Sequence, residues 1–329
     1  MRGVAVGLWM VVASGAAAQA QAPAARIGEA QGALVIEYGP LRFPARASHH
    51  DMPQPPTLVL TLPADGWMRG YAVELVDARG RVLPRVLLHH MNVIAPDKRD
   101  LFGQVMLRVG AAGAETGAIS LPRLVGFRGR KGDSLVVTLM FHNPTDSAYD
   151  GVTLRARVPF TPASSAIGAL TVYPMSVAIG PKDKPNVFDL PPGRSEHHWE
   201  GSPAVPGRVL GLSGHLHRYG VLLRLEDRTA GKVLWEARPA RDSSGEVQAM
   251  PVTRWLATMG KPIRPDHVYR LTAVYENPTG RTIPEGGMGV MGGILMLARG
   301  ARWPAVDRAH PDYVSDVRAI FGAPAHAGH

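Results

Sequence analysis

The sequence predicts an all-β chain built from antiparallel sandwiches, on three observations. Short apolar runs of five to eight residues recur along it, 37 Gly and 29 Pro punctuate them, and only 19% of residues are charged. That combination favours strands joined by tight turns over long solvated helices. The length of 329 residues and the apolar share of 45% allow two domains with real cores at roughly 150 residues each. Disorder over most of the chain is excluded.

The first twenty residues differ from the rest. Arg2 precedes an apolar run over residues 4–12, and an alanine-rich stretch ends in Ala18-Gln19-Ala20. This reads as a secretory signal with cleavage near Ala20. A permanent anchor needs about 20 apolar residues, and the run fades into Gln19 and Gln21 first. The mature protein is therefore expected to be secreted or periplasmic, with no integral membrane association. Cysteine is absent, which removes disulfides, thiolate metal sites, cysteine nucleophiles and lipoprotein anchoring. Stability in an oxidising compartment must then come from core burial or bound metal.

From Leu34 onward the strand-like runs include 57–62, 71–76, 135–141, 151–158, 221–225, 268–275 and 289–297, bounded by Pro, Gly and Asn-Pro. A helix fits only over residues 312–321. One internal echo bears on architecture: an apolar strand ends in Phe141-His142-Asn143-Pro144-Thr145, and another in Tyr275-Glu276-Asn277-Pro278-Thr279. Each follows a strand with paired histidines by roughly 50 to 60 residues. Two related sandwich domains in tandem would produce this, at 21–160 and 161–300, with a C-terminal tail over 301–329. The expected join is Pro159-Phe160-Thr161-Pro162-Ala163-Ser164-Ser165, where Pro and small residues interrupt the pattern.

The net charge of +9 raises polyanions as partners, but the basic residues are scattered. The densest group, Arg128, Arg130 and Lys131, is a turn flanked by glycines. Phosphate binding needs clustering, so no nucleic-acid partner is expected.

Five of the thirteen histidines sit in or at the ends of apolar strands, where an unpaired polar ring is costly. In Gly214-His215-Leu216-His217, residues i and i+2 share a strand face, so both rings can reach one ion. Two strand histidines satisfied by their neighbours fit the same spacing. His89 and His90 are adjacent, and side chains on a regular strand face opposite ways, so their spacing argues against a shared ion unless the strand ends or twists. His142 closes an apolar strand, where a hydrogen-bonded histidine is also an ordinary finding. Met288 and Met291 lie in the glycine-rich stretch 286–293; core packing is the usual role of such residues, although thioether with imidazole is a copper donor set. Of the other histidines, His49-His50, His197-His198, His326 and His329 read as loop or tail residues, and His267 as a surface ion pair with Asp266.

The order of these residues resembles the copper type II, ascorbate-dependent monooxygenases, which include peptidylglycine alpha-hydroxylating monooxygenase and dopamine beta-monooxygenase. His89-His90-Met91, then His142, then a linker, then His215-x-His217, then Met288 follow the family's order from about Arg81 to Leu297. The resemblance implies two jelly-roll-like sandwich domains with one copper each. His89, His90 and His142 would hold the electron-storing copper, and His215, His217 and Met288 the oxygen-activating, catalytic copper. It implies two copper ions per chain, dioxygen and a small organic molecule as substrates, and ascorbate or another one-electron reductant. Met288 matches the family position better than Met291. A copper-binding or copper-handling protein without turnover is the alternative, and the oligomeric state is not legible.

The chain departs from the family's peptide-amidating members, which carry an arginine two residues before His-x-His, and an asparagine and a tyrosine two and four residues after the methionine. Here those positions are Ser213, Val290 and Gly292. The carboxylate clamp is absent.

Overall fold

A computed structural model of the chain describes residues 22–165, 169–180 and 186–322; the expected signal segment, His326 and His329 lie outside them. The described residues form an all-β protein of antiparallel sheets, with one parallel pairing, Leu170–Thr171 on Val125–Gly129. The expected runs are the strands Leu58–Thr61, Gly70–Val76, Ser134–Phe141, Tyr149–Pro162, Gly220–Asp227, Tyr269–Asn277 and Gly289–Leu297.

The first group of sheets pairs an eight-stranded with a four-stranded sheet. The larger is built around Ala33–Phe43 and Tyr149–Pro162, and the smaller has the order Leu58–Thr61, Ser134–Phe141, Leu88–Arg99, Met106–Ala112. Alternation along Tyr149–Pro162 sends Val152, Leu154 and Ala156 inward. They meet Met91, Leu139 and Phe141 of the opposite sheet in one apolar cluster. Phe141 and Phe43 meet edge to face at 5.3 Å. Each such side chain contributes about 1.5–3 kcal/mol when fully buried, so the period-two pattern is enough to close the two layers.

The second group repeats the plan. A five-stranded sheet contains Tyr173–Ile179, Gly289–Leu297 and Gly207–Leu216, and a four-stranded sheet contains Gly193–Gly201, Tyr269–Asn277 and Gly220–Asp227. Met175, Leu212, Met291 and Leu295 from one layer meet Leu223, Leu271 and Tyr275 from the other. Tyr173–Ile179 also lies against Met106–Ala112, which joins the two groups.

The Asn-Pro-Thr echo is structural. Asn143 is buried; its amide donates to the carbonyls of Pro44 and Ser147, and its Oδ1 accepts from the backbone and hydroxyl of Thr145. Asn277 donates to Leu190, Pro191 and Arg281, and accepts from both groups of Thr279. Both asparagines thus satisfy a buried loop crossing that would otherwise leave carbonyls unpaired.

The expected join begins inside a strand: Tyr149–Pro162 continues to Pro162, and Phe160 pairs with Met68. Pro tolerates such a position at a strand end, where its missing donor is not needed. The C-terminal segment folds back as the helix Pro311–Phe321, started by Pro311 and by the His310 ring accepting from the Asp312 amide. Its Tyr313 packs with Ile94, Met106 and Val136. Asp316 grips Arg108 through two contacts, at 2.5 and 2.6 Å, and also accepts from the Met106 amide.

Candidate metal centre

The two sets of strand histidines line one cleft of about 1890 Å³ between the groups of sheets. His89 and His90 lie on Leu88–Arg99, at the point where its register against Ser134–Phe141 slips. Met140 faces His90, Phe141 faces Leu88, and His89 has no partner in that ladder. This bulge supplies the local irregularity on which the expectation for adjacent side chains turned, because the extra residue re-aims one of them. The two Nδ1 atoms stand 3.0 Å apart. His142 follows the same strand pair, its ring centroid 5.0 Å from that of His89.

His49, read from sequence as a loop residue, also belongs here. Its ring lies 5.5 Å from His89 and 3.8 Å from His50. Nothing local in the sequence marks it; the loop is carried to the cleft by the strand before it and the Ser48–Asp51 hydrogen bonds. Burial, followed by the neighbouring rings of His90, His142, His49 and His217, pushes His89 down to about 3. Burial also lowers His142. Both are neutral near pH 7, the form in which imidazole binds metal.

His215 ends the Gly207–Leu216 strand and His217 follows it, their ring centroids 5.2 Å apart. Burial, followed by the nearby His215, holds His217 down to about 4. His215 Nδ1 lies 2.8 Å from Glu115 Oε1, a carboxylate supplied by the loop after Met106–Ala112. Burial pushes Glu115 up, but its bond and charge interaction with His215 outweigh this and hold it at about 2. Sequence gave no sign of Glu115, which lies 100 positions from its partner.

Met288 lines the same cleft, whereas Met291 is fully buried in the second core. Their odd spacing places them on opposite faces. The buried Tyr275 ties Met288 to the histidines: its hydroxyl accepts from the His217 and Met288 amides and donates to the Met288 carbonyl. Tyr275 occupies the echo position of Phe141, so its added hydroxyl was the available sequence signal. The glycines around Met288 serve mostly close packing, since a Cβ at Gly289 would meet Ala273 and Ile179 at 2.8 Å. Gly292 alone of this group faces open space.

Among the described residues, no three His, Asp or Glu side chains converge as a ready metal cage. The donor chemistry nevertheless fits copper. Two imidazole nitrogens 3.0 Å apart can both reach one ion at about 2.0–2.1 Å with roughly a right angle between the bonds. His215 commits Nδ1 to the Glu115 carboxylate, the outer-shell arrangement typical of metal-binding histidines. A His₂Met group contains a thioether donor suited to Cu(I).

Three other histidine readings change. His197 and His198 lie on the strand Gly193–Gly201, not in a loop, and His197 stacks on Phe188 at 3.9 Å. His267 pairs with Asp227 at 2.7 Å, while Asp266 is taken by Arg264. For His267, a partner 40 positions away replaces the sequence neighbour.

No protein-family model and no curated protein matches the chain. Among solved structures, it is similar to PNGase F, a glycosylasparaginase from Flavobacterium meningosepticum, at TM-score 0.39 and 10% identity, covering 80% of this chain and 96% of that one. It is similar also to the major capsid protein P2 of bacteriophage PM2, at TM-score 0.36 and 10% identity, covering 80% and 98%. Likeness at this level assigns no function.

Proposed function

We propose that this protein is a secreted dicopper monooxygenase that hydroxylates a small organic substrate with dioxygen and an external reductant such as ascorbate. The observation that carries the reading is the meeting of two imidazole sets in one cleft, where charge on His217 would disfavour protonation of His89, and charge on His90 that of His217. In this reading His89, His90 and His142 hold one copper, and His215, His217 and Met288 hold the other. Bound copper would supply one-electron chemistry and dioxygen reduction.

The chain's own residues orient the donors and shape the cleft. The bulge at His89 brings neighbouring rings together, and Tyr275 clamps the backbone of His217 and Met288 in the second set. The cleft is largely apolar where Val290 and Gly292 face it, which supports an uncharged or bulky substrate.

The test is copper stoichiometry followed by oxygen uptake. The protein should bind two copper ions per chain. His89→Ala and His142→Ala should empty one site, and His215→Ala and His217→Ala the other. Ascorbate-dependent oxygen consumption coupled to substrate hydroxylation should follow copper loading. Two stably bound coppers without coupled consumption would favour the copper-handling alternative, and a single ion lost equally in all four variants would defeat the two-site assignment.

A further inference from the structure

The carboxylate that meets His215 comes from the opposite group of sheets. Glu115 belongs to the loop after Met106–Ala112, in the half that carries His89, His90 and His142, yet it reaches His215 at 2.8 Å. Its side chain is only 14% exposed. The position is built locally. Thr116 Oγ1 accepts from the Gly113 amide and donates to Glu115 Oε1. A Cβ at Gly113 would lie 2.6 Å from Glu115 Oε2 and 3.1 Å from Oε1. Gly113 has no left-handed φ that would call for glycine, so what its missing side chain provides is room for this carboxylate.

We propose that Glu115 is a positioning residue that fixes His215 across the interface: its ionised carboxylate accepts a hydrogen bond from Nδ1–H, which orients the ring and leaves Nε2 as the bare, metal-competent nitrogen. This rests on the reading of His215 as a copper ligand for its purpose, though the hydrogen bond itself is independent of copper. A carboxylate has no proton to donate at neutral pH, so Nδ1 must be the donor, and in a neutral imidazole the other nitrogen is then the acceptor. A carboxylate behind a ligand histidine also raises its basicity toward the metal. The consequence is structural coupling. The second histidine pair is set in its ligating form only while the first half is docked against it.

The experiment reads the ring directly. Nitrogen-15 chemical shifts of the His215 imidazole, recorded on the metal-free, full-length protein at pH 7.5, should report a single Nδ1–H tautomer. Glu115→Ala should shift the population toward Nε2–H, Glu115→Asp should retain part of the original form, and Gly113→Ala should mix the tautomers by displacing a carboxylate that is still present. Circular dichroism and the unchanged ring shifts of His142 would verify folding in each variant. Cu(I) affinity at the site containing His217, measured by chelator competition, should fall about 10- to 100-fold in Glu115→Ala, with the other site unchanged. A wild-type His215 in the Nε2–H form, or ring shifts indifferent to Glu115→Ala, would overturn the proposal. If the ring responds as expected but the wild type binds no copper, the positioning role stands and the copper reading fails.

Discussion

At the residue scale the second histidine set depends on one hydroxyl. Tyr275 is fully buried, and its Oη holds the amides of His217 and Met288 at 3.0 Å each. Tyr275→Phe keeps the ring packing but leaves buried backbone groups without a partner, at about 1–3 kcal/mol for each group left unsatisfied. The expected outcome is a lower denaturation midpoint, together with weaker copper binding at the His217 site. Met288 itself is tested by X-ray absorption on the reduced, copper-loaded protein. A copper–sulfur contribution should disappear in Met288→Leu and survive in Met291→Leu, because Met291 is enclosed in the core. With no cysteine in the chain, methionine is the only internal source of that signal.

At the element scale, two loops and one helix fix how the strands present their ends. Asn143 satisfies both sides of a buried turn with four hydrogen bonds, directly after His142. Asn143→Ala should cost at least about 1–3 kcal/mol, read by chemical denaturation, and should disturb the His142 ring shifts as well. Asn277→Ala should cost a similar amount while leaving His142 unaffected, since its partners are Leu190, Pro191 and Arg281. The helix Pro311–Phe321 belongs to the same scale, for Asp316 neutralises Arg108 and pairs the Met106 amide. These contacts hold the strand that leads into the Glu115 loop.

At the scale of the whole molecule, the cleft sets both pH behaviour and substrate range. His89 and His217 are lowered from 6.5 to about 3 and about 4, so between those values and pH 6.5 the unfolded chain takes up protons that the native one refuses. Stability of the metal-free protein is then fullest above pH 6.5 and declines as pH falls toward 3. Glu115, lowered from 4.5 to about 2, adds a loss in the same direction below pH 4.5. Buried Asp100, raised from 3.8 to about 6, opposes it between those two values. Denaturation midpoints at pH 7.5 and 5 should therefore fall with acid, and His89→Gln should flatten the decline. For substrates, the expectation is that a glycine-extended peptide is not hydroxylated. Its carboxylate would need a charge-assisted partner worth about 1.5–3 kcal/mol. Ser213 is engaged with the Pro251 carbonyl, Gly292 has no side chain, and Arg218 is tied to Ser244 and Glu246. Hydroxyglycine formed with ascorbate and oxygen would contradict this reading of the cleft.

The sequence by itself determined the strands, because a period of two and a Gly/Pro punctuation are local properties: runs such as 135–141 and 289–297 are strands, and the helix near residue 312 forms where expected. It also kept His215 and His217 in one neighbourhood, since they are two residues apart at the end of one strand. Tertiary structure alone decided what surrounds them. The His89 bulge depends on register against a strand some fifty residues away, His49 reaches the cleft only through loop packing, and His267 chooses Asp227 over its neighbour Asp266. Glu115 is the clearest case. A hydrogen bond is decided by atoms within about 3 Å, whereas the sequence places this carboxylate and His215 a hundred residues apart, and only the packing of one group of sheets against the other brings them within that range.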